Sequence, residues 1–220
     1  MDGFAIPLAV SGRLTPDLAR EVAAVYQDKV VYPDRIVVDT PEDLDRLFPR
    51  WPGPVLHIMT ENQGVCLWGV PLDGSDPVVV VTADAWVGAL WQATTLVHAP
   101  DIEHFIASRR WDRVCLRRAP HLWAQADKLD AESLAYLRGR FEEVLPTTGF
   151  PAPTTYRFQD GTSTVMLWSS EYGCEWRISS SDLAALEGLT RDLLRLSNLR
   201  QELWCGHEAG EALLDRLRAE

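Results

Sequence analysis

The chain has 220 residues, with 21 Lys plus Arg against 32 Asp plus Glu, a formal charge of −11, and 46% hydrophobic and 24% charged residues. Such a composition supports a folded core and excludes disorder, a collagen-like repeat or a coiled coil as a description of the whole. The excess of acid repels nucleic acid and anionic membrane and attracts basic proteins.

Thr15, Pro16 and Asp17 open a predicted helix over about 16–29, with proline at the first helical position and acid in the first turn. Ile36-Val37-Val38 reads as a short strand. Thr40-Pro41-Glu42-Asp43 resembles a capping box, predicting a brief helix that buries Leu44, Leu47 and Phe48. Three β-type runs follow: Val55 to Met59, Val65 to Val70 and Val78 to Val81. They are separated by Glu61-Asn62-Gln63-Gly64 and Asp73-Gly74-Ser75-Asp76, turn-forming segments that suit an antiparallel meander. The unbroken valines of the third run predict a strand covered on both faces.

Pro100 to Arg110 carries Ile102, Phe105 and Ile106 at helical spacing. Leu134, Leu137, Phe141, Val144 and Leu145 repeat that spacing behind an Asp130 cap. Tyr156 to Phe158, Val165 to Trp168 and Cys174 to Ile178 predict three more strands, expected to join or pack on the first sheet. A helix from Ser180 or Ser181 buries Leu183, Leu186, Leu189 and Leu193, and Leu213, Leu214 and Leu217 end the chain in an amphipathic turn or two. The expected architecture is one α+β domain over residues 1–220, a largely antiparallel or mixed central sheet with helices packed on it.

The search for chemistry returns weak motifs. His207-Glu208-Ala209-Gly210-Glu211 falls one residue short of the helical zinc motif, and Gly210 weakens the helix it would need. His98, Asp101, Glu103 and His104 cluster in sequence, yet acid in a first helical turn is what the helix dipole favours. His57 reads as a half-buried strand histidine, and His121 has no motif around it. No nucleophile elbow and no phosphate-cradling glycine loop occurs. No metal or cofactor is expected, nor catalysis, with an unrecognised enzyme kept as the remaining alternative. Five arginines between Arg109 and Arg118 are expected to pair with acids rather than to bind phosphates. Four sparse cysteines without a Cys-x-x-Cys pair read as reduced thiols. The amino terminus lacks a signal-peptide pattern, and the longest apolar run, Ala85 to Trp91, is far below the roughly 18 residues of a membrane span. A cytoplasmic location is expected.

Gly53-Pro54-Val55-Leu56, the turn Glu61-Asn62-Gln63-Gly64 leading into the Trp68 strand, and Asp76-Pro77-Val78-Val79-Val80 together resemble the SUKH superfamily. That family groups bacterial immunity proteins with fungal cell-wall assembly regulators. The resemblance covers about residues 14–110; Asp-Pro-Pro is often found where only Asp76-Pro77 stands here. It implies a non-enzymatic α+β domain that binds other proteins, an immunity-type inhibitor of a bacterial toxin, with an intracellular regulatory or scaffold domain as the alternative. Between Arg50 and Arg109 the chain has six acids and no Lys or Arg. In that setting Glu61, Asp73, Asp76 and Asp84 are the candidate contacts for a basic partner, while Asn62 and Gly64 serve the turn and Trp68 the core.

Overall fold

The computed structural model describes residues 6–73, 79–83, 86–87, 90–91, 94–196, 199, 203–205 and 207–219. Its elements begin with α1 (Leu8–Ser11), α2 (Pro16–Ala23), β1 (Lys29–Val30), β2 (Val38–Asp39), β3 (Val55–Thr60), β4 (Cys66–Pro71), β5 (Val79–Ala83), β6 (Trp86–Val87), β7 (Leu90–Trp91) and β8 (Thr94–Ala99). They continue with α3 (Ile102–Arg117), β9 (His121–Ala126), α4 (Ala131–Arg140), β10 (Glu142–Glu143), β11 (Thr147–Thr148), β12 (Thr154–Gln159), β13 (Ser163–Ser169), β14 (Cys174–Ser180), α5 (Leu183–Leu196) and α6 (Glu208–Arg218). Helices on antiparallel sheets make this an α+β fold.

By packing, the chain divides into two compact units. The first is Met1–Asp112 with Thr147–Pro153, and the second is Arg113–Pro146 with Thr154–Glu220. In the first, the sheet runs β1-β3-β4-β5-β8, with β2 also paired to β3. The expected meander is therefore present: β3, β4 and β5 are antiparallel neighbours, with Leu56 opposite Val70 and Trp68 opposite Val81. Gly64 sits at φ +80° in the first turn, a left-handed conformation that glycine adopts without a Cβ penalty. The separator at 74–76 lies outside the described residues.

Several predicted boundaries move, and for the two long helices this is because a strand pairing and a backbone reversal override helical periodicity. Thr15 caps α2 as expected, its hydroxyl accepting from Leu18 N at 3.4 Å, but the helix stops at Ala23. Gln27 takes φ +62°, which ends helical hydrogen bonding, and Lys29 and Val30 pair with Thr60 and Met59. The strand expected at Ile36 to Val38 reduces to Val38–Asp39. Asp130 caps α4, accepting from Ser133 N at 2.6 Å. That helix ends at Arg140, because Glu142 and Glu143 pair with Gln159 and Phe158 and Leu145 turns to φ +48°. The cap of α5 is Asp182, which accepts from Ala185 N at 2.9 Å, rather than Ser180 or Ser181.

The strands after 154 do not join the first sheet. They form a second one, in the order β10-β12-β13-β14-β9. Each unit has its own core. Leu14, Val22, Leu56, Ile58, Trp68 and Phe105 are buried together in the first. In the second, alternate residues of the strands, Leu122, Phe158, Val165, Leu167, Trp176 and Ile178, are buried with Leu186, Leu189 and Leu193 of α5. An unusual feature of the first core is a charge: Arg109 pairs with Asp28 at 2.8 Å, with both side chains almost wholly buried. The guanidinium lies 4.5 Å from the Trp68 ring centroid, 4.8 Å from Tyr26 and 5.2 Å from Phe105, a cation–π cage that offsets part of its desolvation. Burial raises the Asp28 carboxyl, and the charge and hydrogen bond of Arg109 pull it back down.

Candidate interaction surface

The segment after β2 does not form the predicted helix. Thr40 to Asp45 is a loop, and Leu44, expected in the core, stands fully exposed between Asp43 and Asp45. One half of the capping box forms without its helix: Asp43 Oδ2 accepts from Thr40 N at 2.6 Å and from Thr40 Oγ1 at 3.0 Å. The Thr40 backbone N–H holds the Asp43 carboxyl below its usual range, helped by the hydroxyl.

What replaces helical hydrogen bonding is Asp39. Its carboxylate, 3% exposed, accepts from Leu47 N at 2.8 Å and Phe48 N at 3.1 Å and takes Arg46 Nη2 at 3.4 Å. Arg46 Nη1 donates to Trp51 O at 2.9 Å. One buried side chain thus ties the two ends of the loop together, the arrangement of a compact Ω-type loop. Phe48 is the apolar anchor. It is buried with Val55, edge-on to His57 at 5.9 Å, and lies against the β4 backbone. A Cβ built on Gly69 would fall 2.5 Å from Phe48 Cζ and 2.5 Å from Val55 Cγ1, so only glycine admits this close approach.

The loop therefore presents Pro41, Glu42, Asp43, Leu44 and Asp45 outward, all exposed, while the loop's one base, Arg46, faces inward. Asp73 is exposed as well. Register places Asp39, Val55 and Pro71 in one row across β2, β3 and β4, so the loop and Asp73 emerge from the same end of the sheet.

Of the four residues expected to contact a partner, Asp73 is the one on this surface. Asp76 and Asp84 lie outside the described residues. Glu61 sits at the opposite end of the strands, 5% exposed, with Oε2 accepting from Gln63 N at 2.7 Å and Val65 N at 3.3 Å; its carboxylate is committed to holding the turn. Asn62 serves the same turn by donating to Tyr26 O at 3.0 Å, and Trp68 is fully buried. The sequence places Leu44 in a helix core and Glu42 in a capping box; the signal against that is a lone leucine flanked on both sides by aspartate, a poor candidate for burial.

The other candidates resolve into structural roles. Asp101 caps α3, accepting from His104 N at 2.7 Å, and Glu103 pairs with Arg13 at 3.2 Å. His98 is buried, its Nδ1 2.7 Å from Thr148 O. His57 places Nε2 3.1 Å from Met59 O, and burial pushes its pKa down. Arg110 pairs with Glu21 through two bonds of 3.0 Å, so Arg109 and Arg110 are both engaged by acids. His207 is the N-cap of α6. Among the described residues no three His, Cys, Asp or Glu side chains are placed to hold a metal ion, and no helix is long and apolar enough to cross a membrane. No family model matches the chain, and no curated protein or solved structure matches it either.

Proposed function

We propose that this chain is a non-enzymatic protein-binding domain whose 40–45 loop, with Asp73, docks on a basic partner surface, and that it acts as an immunity-type inhibitor of a bacterial toxin in the manner of the SUKH superfamily it resembles. The observation that carries the reading is Leu44, fully exposed among Glu42, Asp43 and Asp45 on a loop tied at both ends by Asp39. A loop whose ends are already tied loses less entropy on docking, so a partner pocket that buries Leu44 gains about 1.5–3 kcal/mol, while the surrounding carboxylates steer encounter with a cationic surface. A toxin whose active site attracts phosphates offers such a surface. The absence of a disulfide among the four cysteines is in keeping with work in the cytoplasm.

Affinity capture from the native host with the intact chain, followed by mass spectrometry, identifies the partner. The test is the variant: Leu44→Ala is expected to leave thermal stability unchanged and to weaken binding of the captured partner about tenfold, a loss of about 1.4 kcal/mol. Binding indifferent to Leu44→Ala and to Glu42→Gln would refute the assignment of the surface. Catalytic turnover of the captured partner would refute the non-enzymatic reading.

A further inference from the structure

The outer edge of β9 is closed by a short return of the chain. Trp123 and Trp204 exchange two backbone hydrogen bonds of 3.0 Å, and Ala126 bridges to Leu199. At His121 a side chain takes over. His121 N donates to His207 Nε2 at 3.1 Å, and the Cys205 thiol donates to His121 O at 3.2 Å. His207 is also the N-cap residue of α6, with Gly210 N 3.2 Å from its Nδ1. The thiol fits beneath the first turn of α6 because Gly210 has no Cβ; one built there would overlap Cys205 Sγ. The glycine that weakens this stretch as a zinc helix is what allows it to close.

Both ring nitrogens of His207 thus face backbone N–H donors. A neutral imidazole has one accepting nitrogen and the imidazolium has none. Gly210 N also reaches the His207 carbonyl at 3.0 Å, so the bond that matters is the one from His121 N, which closes the strand edge. We propose that His207 is a proton-operated latch: neutral, it accepts the His121 N–H at Nε2 and seals that end of the β9 edge, and once protonated it sets donor against donor there and releases it, weakening the edge.

The charged and titratable neighbours weigh both ways. The His121 ring lies 4.7 Å from that of His207, and its Nδ1 is 3.0 Å from Arg118 O, which fixes that nitrogen as a donor. Burial pushes the His121 pKa down, and the charges of His207 and Arg177 act in the same direction, against the Arg118 carbonyl bond. Arg177, from β14, stacks 4.2 Å over Trp123. Glu208 and Glu211 in the first turn of α6 attract an imidazolium, but both are exposed and so strongly screened. Cys205 is the remaining ionisable group in contact.

The experiment is amide hydrogen exchange on the full chain between pH 7.5 and 5.5, corrected for the intrinsic pH dependence of exchange, over peptides spanning 119–126 and 203–207. Wild-type protection there is expected to fall about tenfold on acidification, with β3 and β4 changing less. His207→Asn keeps an N-cap acceptor and does not titrate, so its protection is expected to be flat with pH. Flat wild-type protection overturns the proposal, as does an unchanged pH response in His207→Asn. Should that variant fold poorly, NMR of the wild type decides: the His121 amide resonance is expected to move as the His207 ring takes up a proton, and a resonance that stays still overturns the latch.

Discussion

Replacing Asp39 with alanine tests the loop where its stability is concentrated. The substitution leaves the N–H groups of Leu47 and Phe48 without the acceptor they reach at 2.8 and 3.1 Å, and leaves Arg46 half-buried without its carboxylate. Hydrogen bonds to a charged acceptor contribute about 1.5–3 kcal/mol each, and removing one partner of a buried ion pair costs about 3–5 kcal/mol. The contributions share one side chain and are not additive, so about 3–5 kcal/mol is expected in total. Because the chain has two units, a global midpoint would mix them; urea titration read by pulsed hydrogen exchange on β3 and β4 peptides reports the first unit alone. Asp39→Asn, which retains one acceptor oxygen, should lose visibly less. A loss below about 1 kcal/mol for the alanine variant would refute the claim that this carboxylate organises the loop.

Gly69→Ala drives a methyl into Phe48 and Val55 at 2.5 Å, and is expected to cost about 1–3 kcal/mol, with Phe48→Leu restoring part of the loss; an additive double variant would argue against the contact. Gly64→Val meets no atom within 4 Å, so its expected loss of about 1–2 kcal/mol comes from φ +80° alone, and an unchanged melting temperature would contradict the turn. His57 adds a pH dependence. Burial favours its neutral form in the folded state, so the unfolded chain takes up the proton first. The associated stability is complete above about pH 6.5 and is lost as pH falls below it. His57→Gln is therefore expected to flatten the acid slope of first-unit stability between pH 7.5 and 5.5, and a slope that is unaffected would count against it.

The features legible in the sequence are those decided within a few residues of chain. Val55 to Val81 announced its meander because apolar, β-branched runs set apart by turn-forming residues such as Asn62 and Gly64 pair with their chain neighbours. Thr15 and Asp130 announced their helices because a cap needs only a side-chain oxygen three residues from an N–H. The same local logic misread Thr40 to Phe48. Its capping-box bond forms, yet the helix does not, since Asp39 offers the Leu47 and Phe48 amides a buried acceptor and the bare Gly69 backbone offers Phe48 a seat, and both partners depend on strand pairing remote in sequence. That choice turned Leu44 outward and made a surface of a stretch that reads as core. Glu61 shows the converse: an acid that reads as surface is taken inward by two amides of its own turn. His207 and Cys205 gain their roles through β9, more than 80 residues earlier, a proximity that no spacing along the chain encodes. Local periodicity and capping chemistry determined most of the elements of this protein; which side chains face water, and which close an edge, was decided by the pairing of distant strands.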